Sequence, residues 1–115
     1  PARVAALGFS NGANIAAAIL LLRPRVFDGA VLLRPMVPFA PDVPPALRGI
    51  PTLLLAGRQD PIAGDAPSRL TELLRGAGAE VELVWQAAGH GLVSADIECA
   101  TRWLQERFPD SAALR

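Results

Sequence analysis

The run from Arg3 to Phe9, RVAALGF, is apolar at successive positions rather than alternate ones, and it ends in Gly8-Phe9-Ser10-Asn11-Gly12. A strand written this way is expected to be covered on both faces, the condition of a parallel sheet between helical layers. Asn11 to Leu22 follows as an Ala/Ile/Leu-rich stretch with no Gly or Pro after Gly12, which favours helix, and Pro24 forbids its continuation. One tight turn therefore joins a buried strand to an apolar helix.

The same alternation continues. Gly29 to Leu33 (GAVLL) and Thr52 to Ala56 (TLLLA) read as further buried strands, and between them a proline-rich surface loop runs from Pro35 to Pro51. Asp65 or Ser68 is placed to cap a helix to Arg75, with Leu70, Leu73 and Leu74 at helical spacing and Gly76 and Gly78 ending it. Glu80 to Trp85 (EVELVW) alternates polar and apolar, as in a half-exposed strand near a sheet edge. Ser94 to Phe108 is the last helix, with Ile97, Ala100, Trp103 and Leu104 as its expected apolar face and Pro109 at its end. Strands alternating with helices predict an α/β fold, with about four parallel strands flanked by helices, in one domain over residues 1–115.

Eleven basic residues balance eleven acidic ones, so no global field draws the chain to nucleic acid or to an anionic membrane. All the basic residues are arginines, scattered from Arg3 to Arg115, and they read as compositional bias rather than a phosphate-binding device. Cys99 stands alone, which excludes an intramolecular disulfide and a cysteine zinc cluster and makes a reduced, cytoplasmic setting the default expectation. Ile15 to Leu22, the longest apolar run, is too short to span a bilayer. Pro1-Ala2-Arg3 leads directly into a strand, so no signal peptide is read there, and the start has the character of an entry partway through a fold.

Three residues carry the chemistry. Gly8-Phe9-Ser10-Asn11-Gly12 fits Gly-x-Ser-x-Gly, a sharp strand-to-helix turn that lifts a serine hydroxyl clear of the sheet. Gly8 and Gly12 are expected to be small because larger side chains would collide with the turn, and the Asn11 amide at the helix N-terminus can face a developing oxyanion. A bland alternative makes Ser10 an ordinary helix cap. A serine hydroxyl needs a base, and His90, in Ala88-Gly89-His90-Gly91-Leu92, is the one histidine, in a turn after the fourth strand. The histidine needs an acid. Asp60, after the third strand in Gly57-Arg58-Gln59-Asp60-Pro61, is preferred over Asp65, read as a helix cap, and Asp96, read as a solvated helix residue. The chain order Ser, Asp, His is that of α/β-hydrolases.

With these residues in place the chain resembles the C-terminal half of the phospholipase/carboxylesterase family of serine α/β-hydrolases. The resemblance lies in LGFSNGANIAAAILL, in PTLLLAGRQDPIAG leading to SRLTELLRGAGAEVELVW, and in AGHGLVSADIECATRWL. It implies hydrolysis of small carboxylic esters through an acyl-enzyme, with Ser10 as nucleophile, Asp60 as acid, His90 as base and no metal or organic cofactor. A thioesterase or lysophospholipase would use the same triad, whereas a dienelactone hydrolase would carry cysteine in place of Ser10. Met36, Val37 and Phe39 in the proline-rich loop are candidates for the acyl pocket. The family's fold begins with strands that precede the elbow, so a partial α/β-hydrolase fold is expected, with the sheet completed by the missing N-terminal half or by a homodimer. A half-domain serving only assembly is the non-enzymatic alternative.

Overall fold

This computed structural model of the chain describes residues 3–36 and 46–109. Its elements follow the sequence closely: β1 (Ala5–Phe9), α1 (Asn11–Leu22), β2 (Gly29–Leu33), β3 (Pro51–Gly57), α2 (Ala66–Gly76), β4 (Glu80–Gln86) and α3 (Ser94–Arg107). The four strands form one sheet in the order β1-β2-β3-β4, and every pairing is parallel. Parallel strands need a crossover, which α1 supplies between β1 and β2 and α2 supplies between β3 and β4.

The pleat sorts the core into two layers. On one face Ala30, Leu32 and Leu54 meet Ala13, Ala17 and Leu20 of α1 and Leu70 and Leu74 of α2. On the other, Val31, Leu33, Leu53 and Leu55 meet Ala100 and Trp103 of α3, with Phe108 closing the layer. β2 is buried throughout, as a non-alternating strand requires, and each fully buried leucine contributes about 1.5–3 kcal/mol of apolar transfer free energy. β4 lies at an edge of the described sheet and keeps its polar residues outward at Glu80 and Glu82.

β1 is the other edge, and it is less well covered. Leu7 pairs in register with the fully buried Val31, yet it is 62% exposed. Val4, Ile15 and Leu22 are also exposed, so an apolar strip runs along β1 and the outer side of α1.

Three expectations need correction. Asp65 occupies the N-cap position of α2 but makes no capping bond; its exposed carboxylate lies 3.9 Å from Arg69. Ile97 is not on the apolar face of α3: it is 53% exposed, while Asp96 is fully buried. Ala100 and Trp103 stay on the buried face, but Asp96 takes the place expected for Ile97 because it finds a buried cationic partner, Arg34, which the hydrophobic pattern could not show. Asp96 is accordingly not a solvated residue. Val37 and Phe39 lie outside the described residues. Among the described residues no helix is long and apolar enough to cross a membrane.

Candidate active site

In a parallel sheet all strands end on the same side, so the loops that follow them converge at the C-terminal edge. Ser10 directly follows β1, Asp60 lies three residues past β3 and His90 four past β4. The topology alone brings these distant positions to one edge.

Ser10 has φ 54° and ψ −113°, a left-handed backbone conformation uncommon for a residue with a side chain. Its amide donates to the Leu33 carbonyl at 2.8 Å and its carbonyl accepts from Asn14 at 3.0 Å, so β2 and the first turn of α1 hold the strained angle. The turn is tight enough that a Cβ on Gly8 would overlap the Gly12 carbonyl and approach the Ala13 nitrogen to 2.7 Å. At Gly12, by contrast, a Cβ would meet nothing within 4 Å. The expectation that both glycines are sterically required therefore holds for Gly8 and not for Gly12. The backbone of Gly12 is the surface against which Gly8 packs.

The Ser10 hydroxyl does not cap α1. Its Oγ lies 2.8 Å from His90 Nε2, and His90 Nδ1 lies 2.8 Å from Asp60 Oδ2. The three side chains thus form one continuous hydrogen-bonded line. The Asp60 carboxylate is almost fully buried, while the imidazole keeps about a fifth of its surface exposed, at 22%. Phe9 flanks the imidazole, with ring centroids 5.7 Å apart.

Asp60 is held from both oxygens. Oδ2 accepts from His90, and Oδ1 accepts from the amides of Ile62 at 2.9 Å and Ala63 at 3.3 Å. Burial pushes its carboxyl up, but the His90 hydrogen bond and those two amides together outweigh it and hold Asp60 below the usual carboxylate range. A carboxylate so placed stays ionised and orients the ring that faces Ser10. Asn11 opens α1, so its amide belongs to the first-turn donors that have no partner within the helix. Met36 is half-buried, and its amide donates to Asn14 Oδ1 at 2.8 Å, which ties the start of the loop after β2 to α1.

Two features escaped the sequence reading. Gly57 packs so closely on the His90 loop that a Cβ there would overlap the carbonyls of Ala88 and Gly89. The glycine at the end of TLLLAG is visible in the sequence, but nothing near it in the chain names the loop it packs against. The second is Arg34, fully buried one residue beyond β2 with φ 53°, whose guanidinium pairs with both oxygens of Asp96 at 3.0 and 2.8 Å. An arginine wedged between an apolar strand and Pro35 was its only trace in the sequence. Cys99 is half-buried, and burial pushes its thiol up, away from the reactive thiolate. Among the described residues no group of three His, Cys, Asp or Glu side chains could hold a metal ion.

A four-stranded parallel sheet with helices on both faces and a serine elbow at its C-terminal edge defines the chain as part of an α/β-hydrolase fold, and the comparisons agree. The Bacillus cereus carboxylesterase structure superposes with a TM-score of 0.86 at 38% identity, over 90% of this chain and 50% of that one. The carboxylesterase from Mesorhizobium loti gives 0.80 at 39% identity, over 87% of this chain and 48% of that one. A Bacillus subtilis (strain 168) protein named as a hydrolase, MhqD, is 41% identical over 105 residues, which is 90% of this chain and 52% of that protein. No family model matches. The chain spans about half the length of the relatives it matches.

Proposed function

We propose that this chain carries the catalytic triad of a serine carboxylesterase of the phospholipase/carboxylesterase family. The observation that carries the reading is the unbroken line from Ser10 Oγ through His90 to Asp60, with 2.8 Å at each step. Relatives named as hydrolase and carboxylesterase lend it support.

In this reading His90 Nε2 accepts the Ser10 proton as Oγ bonds to the ester carbonyl carbon, and the carbonyl electrons move onto oxygen. The Asn11 amide faces that oxyanion. Collapse of the tetrahedral intermediate breaks the bond to the alkoxy oxygen, and the imidazolium returns its proton to the leaving alcohol. Water then repeats the sequence on the acyl-Ser10, releasing the carboxylic acid. Asp60 keeps its charge throughout and stabilises the imidazolium. Met36, whose amide donates to Asn14 Oδ1, is our candidate for the acyl pocket.

The second oxyanion donor of an α/β-hydrolase comes from a loop that precedes the elbow. We therefore read the exposed β1 edge as the surface where the sheet is continued, by an N-terminal half or by a second copy. One oxyanion donor is worth about 100- to 1000-fold in rate.

Hydrolysis of p-nitrophenyl esters from acetate to octanoate tests the activity. Ester turnover is expected in the wild type, falling by about 10⁴-fold or to background in Asp60→Asn and His90→Ala. Turnover that survives both substitutions would overturn the reading.

A further inference from the structure

We propose that Arg34, paired with Asp96, is a positioning residue for the general base: it pins the backbone on both sides of His90 so that the imidazole meets Ser10. This rests on the triad reading above.

The geometry is unusually complete. Arg34 Nε donates to the Gly89 carbonyl at 2.9 Å, and one terminal nitrogen donates to the Gly91 carbonyl at 3.2 Å. These are the residues immediately before and after His90. The other terminal nitrogen donates to the Leu55 carbonyl at 3.2 Å, within the C-terminal half of β3. The remaining two donors meet Asp96. All five guanidinium N–H groups are thereby matched to acceptors, which a lysine ammonium with three donors could not reproduce. Asp96 extends the hold, since its Oδ2 also accepts the Val93 amide at 2.8 Å. The His90 loop is thus gripped at Gly89, Gly91 and Val93.

Stability alone does not account for such a device. Moving two charges out of water costs several kcal/mol per ion, and apolar replacements of similar volume are often neutral or stabilising. Arg34 also holds a positive φ, a cost for a residue with a side chain. What the pair supplies is geometry. The loop it holds contains two glycines beside His90, and among the described residues the imidazole's polar partners are Asp60 and the Ser10 hydroxyl it must serve. Without the guanidinium, two carbonyls flanking His90 lose their anchor, and an imidazole displaced by an ångström loses its reach to Oγ.

The test compares wild type with the volume-conserving double variant Arg34→Met/Asp96→Leu, with Ser10→Ala as control. Two readouts are taken: the rate of Ser10 labelling by a fluorophosphonate together with kcat and KM on p-nitrophenyl butyrate, and amide hydrogen exchange across residues 88–93. Expected are a folded variant, labelling and kcat slower by about 100-fold with KM little changed, and faster exchange confined to the His90 loop. Labelling within twofold of wild type, or unchanged loop exchange, would overturn the proposal. If wild type is itself unlabelled at Ser10, the triad reading fails, and loop exchange alone then decides whether the clamp exists. Should the apolar pair not fold, Arg34→Lys carries the same comparison, with loosening of the loop supporting the clamp and an unchanged loop and rate refuting it.

Discussion

Asp60 accepts three hydrogen bonds with a nearly buried carboxylate, and its ionisation is coupled to folding. A group held below its unfolded value near 3.9 stabilises the fold above that value and loses its contribution as pH falls through the folded value. Urea midpoints measured from pH 7 to pH 3 are therefore expected to show Asp60→Asn less stable than wild type at neutral pH, with the gap closing below about pH 4. A gap that stays constant to pH 3 would contradict the assigned hydrogen bonds. Ser10, Asp60 and His90 were legible in the sequence because each sits in a turn that follows a strand-like run, and a parallel sheet leaves such turns only one edge to share. Arg34 and Asp96 were not legible, because the burial of either charge depends on a partner 62 positions away, and no local pattern encodes that separation.

Strands and helices obey their periodicities wherever apolar residues alone decide the face. β2 and β3 are buried as their unbroken apolar runs require, and α2 buries Leu70 and Leu74 with Leu73 beside them. α3 departs from that rule. Ala100 and Trp103 are buried as read, but Asp96 takes the buried place expected for Ile97 because an ion pair outweighs one isoleucine in setting the first turn of the helix. The consequence is measurable. Ile97→Glu is expected to change stability by no more than about 0.5 kcal/mol, as for an ordinary surface site, whereas Trp103→Ala costs about 3–5 kcal/mol. Denaturant unfolding of both variants checks the face: a loss at Ile97 as large as that at Trp103 would restore the stripe read from sequence.

Across the whole molecule, the sheet serves to gather loops. Four strands deliver Ser10, Arg34, Asp60 and His90 to one edge, where the first, third and fourth form the hydrogen-bonded line and the second braces it. The same sheet is uneven in its cover, with Leu7 and Ile15 exposed along β1 and α1, in a chain that spans half of its relatives. Continuation of the sheet at that edge would both bury the strip and bring a loop toward Ser10, joining stability to activity. Whether Ser10 is an activated nucleophile stands ahead of every other question. The direct measurement is the intact mass of the purified protein after treatment with a fluorophosphonate. A single phosphonyl adduct on wild type, absent from Ser10→Ala, is the predicted result. No adduct on the wild type, or the same adduct on Ser10→Ala, would contradict the account.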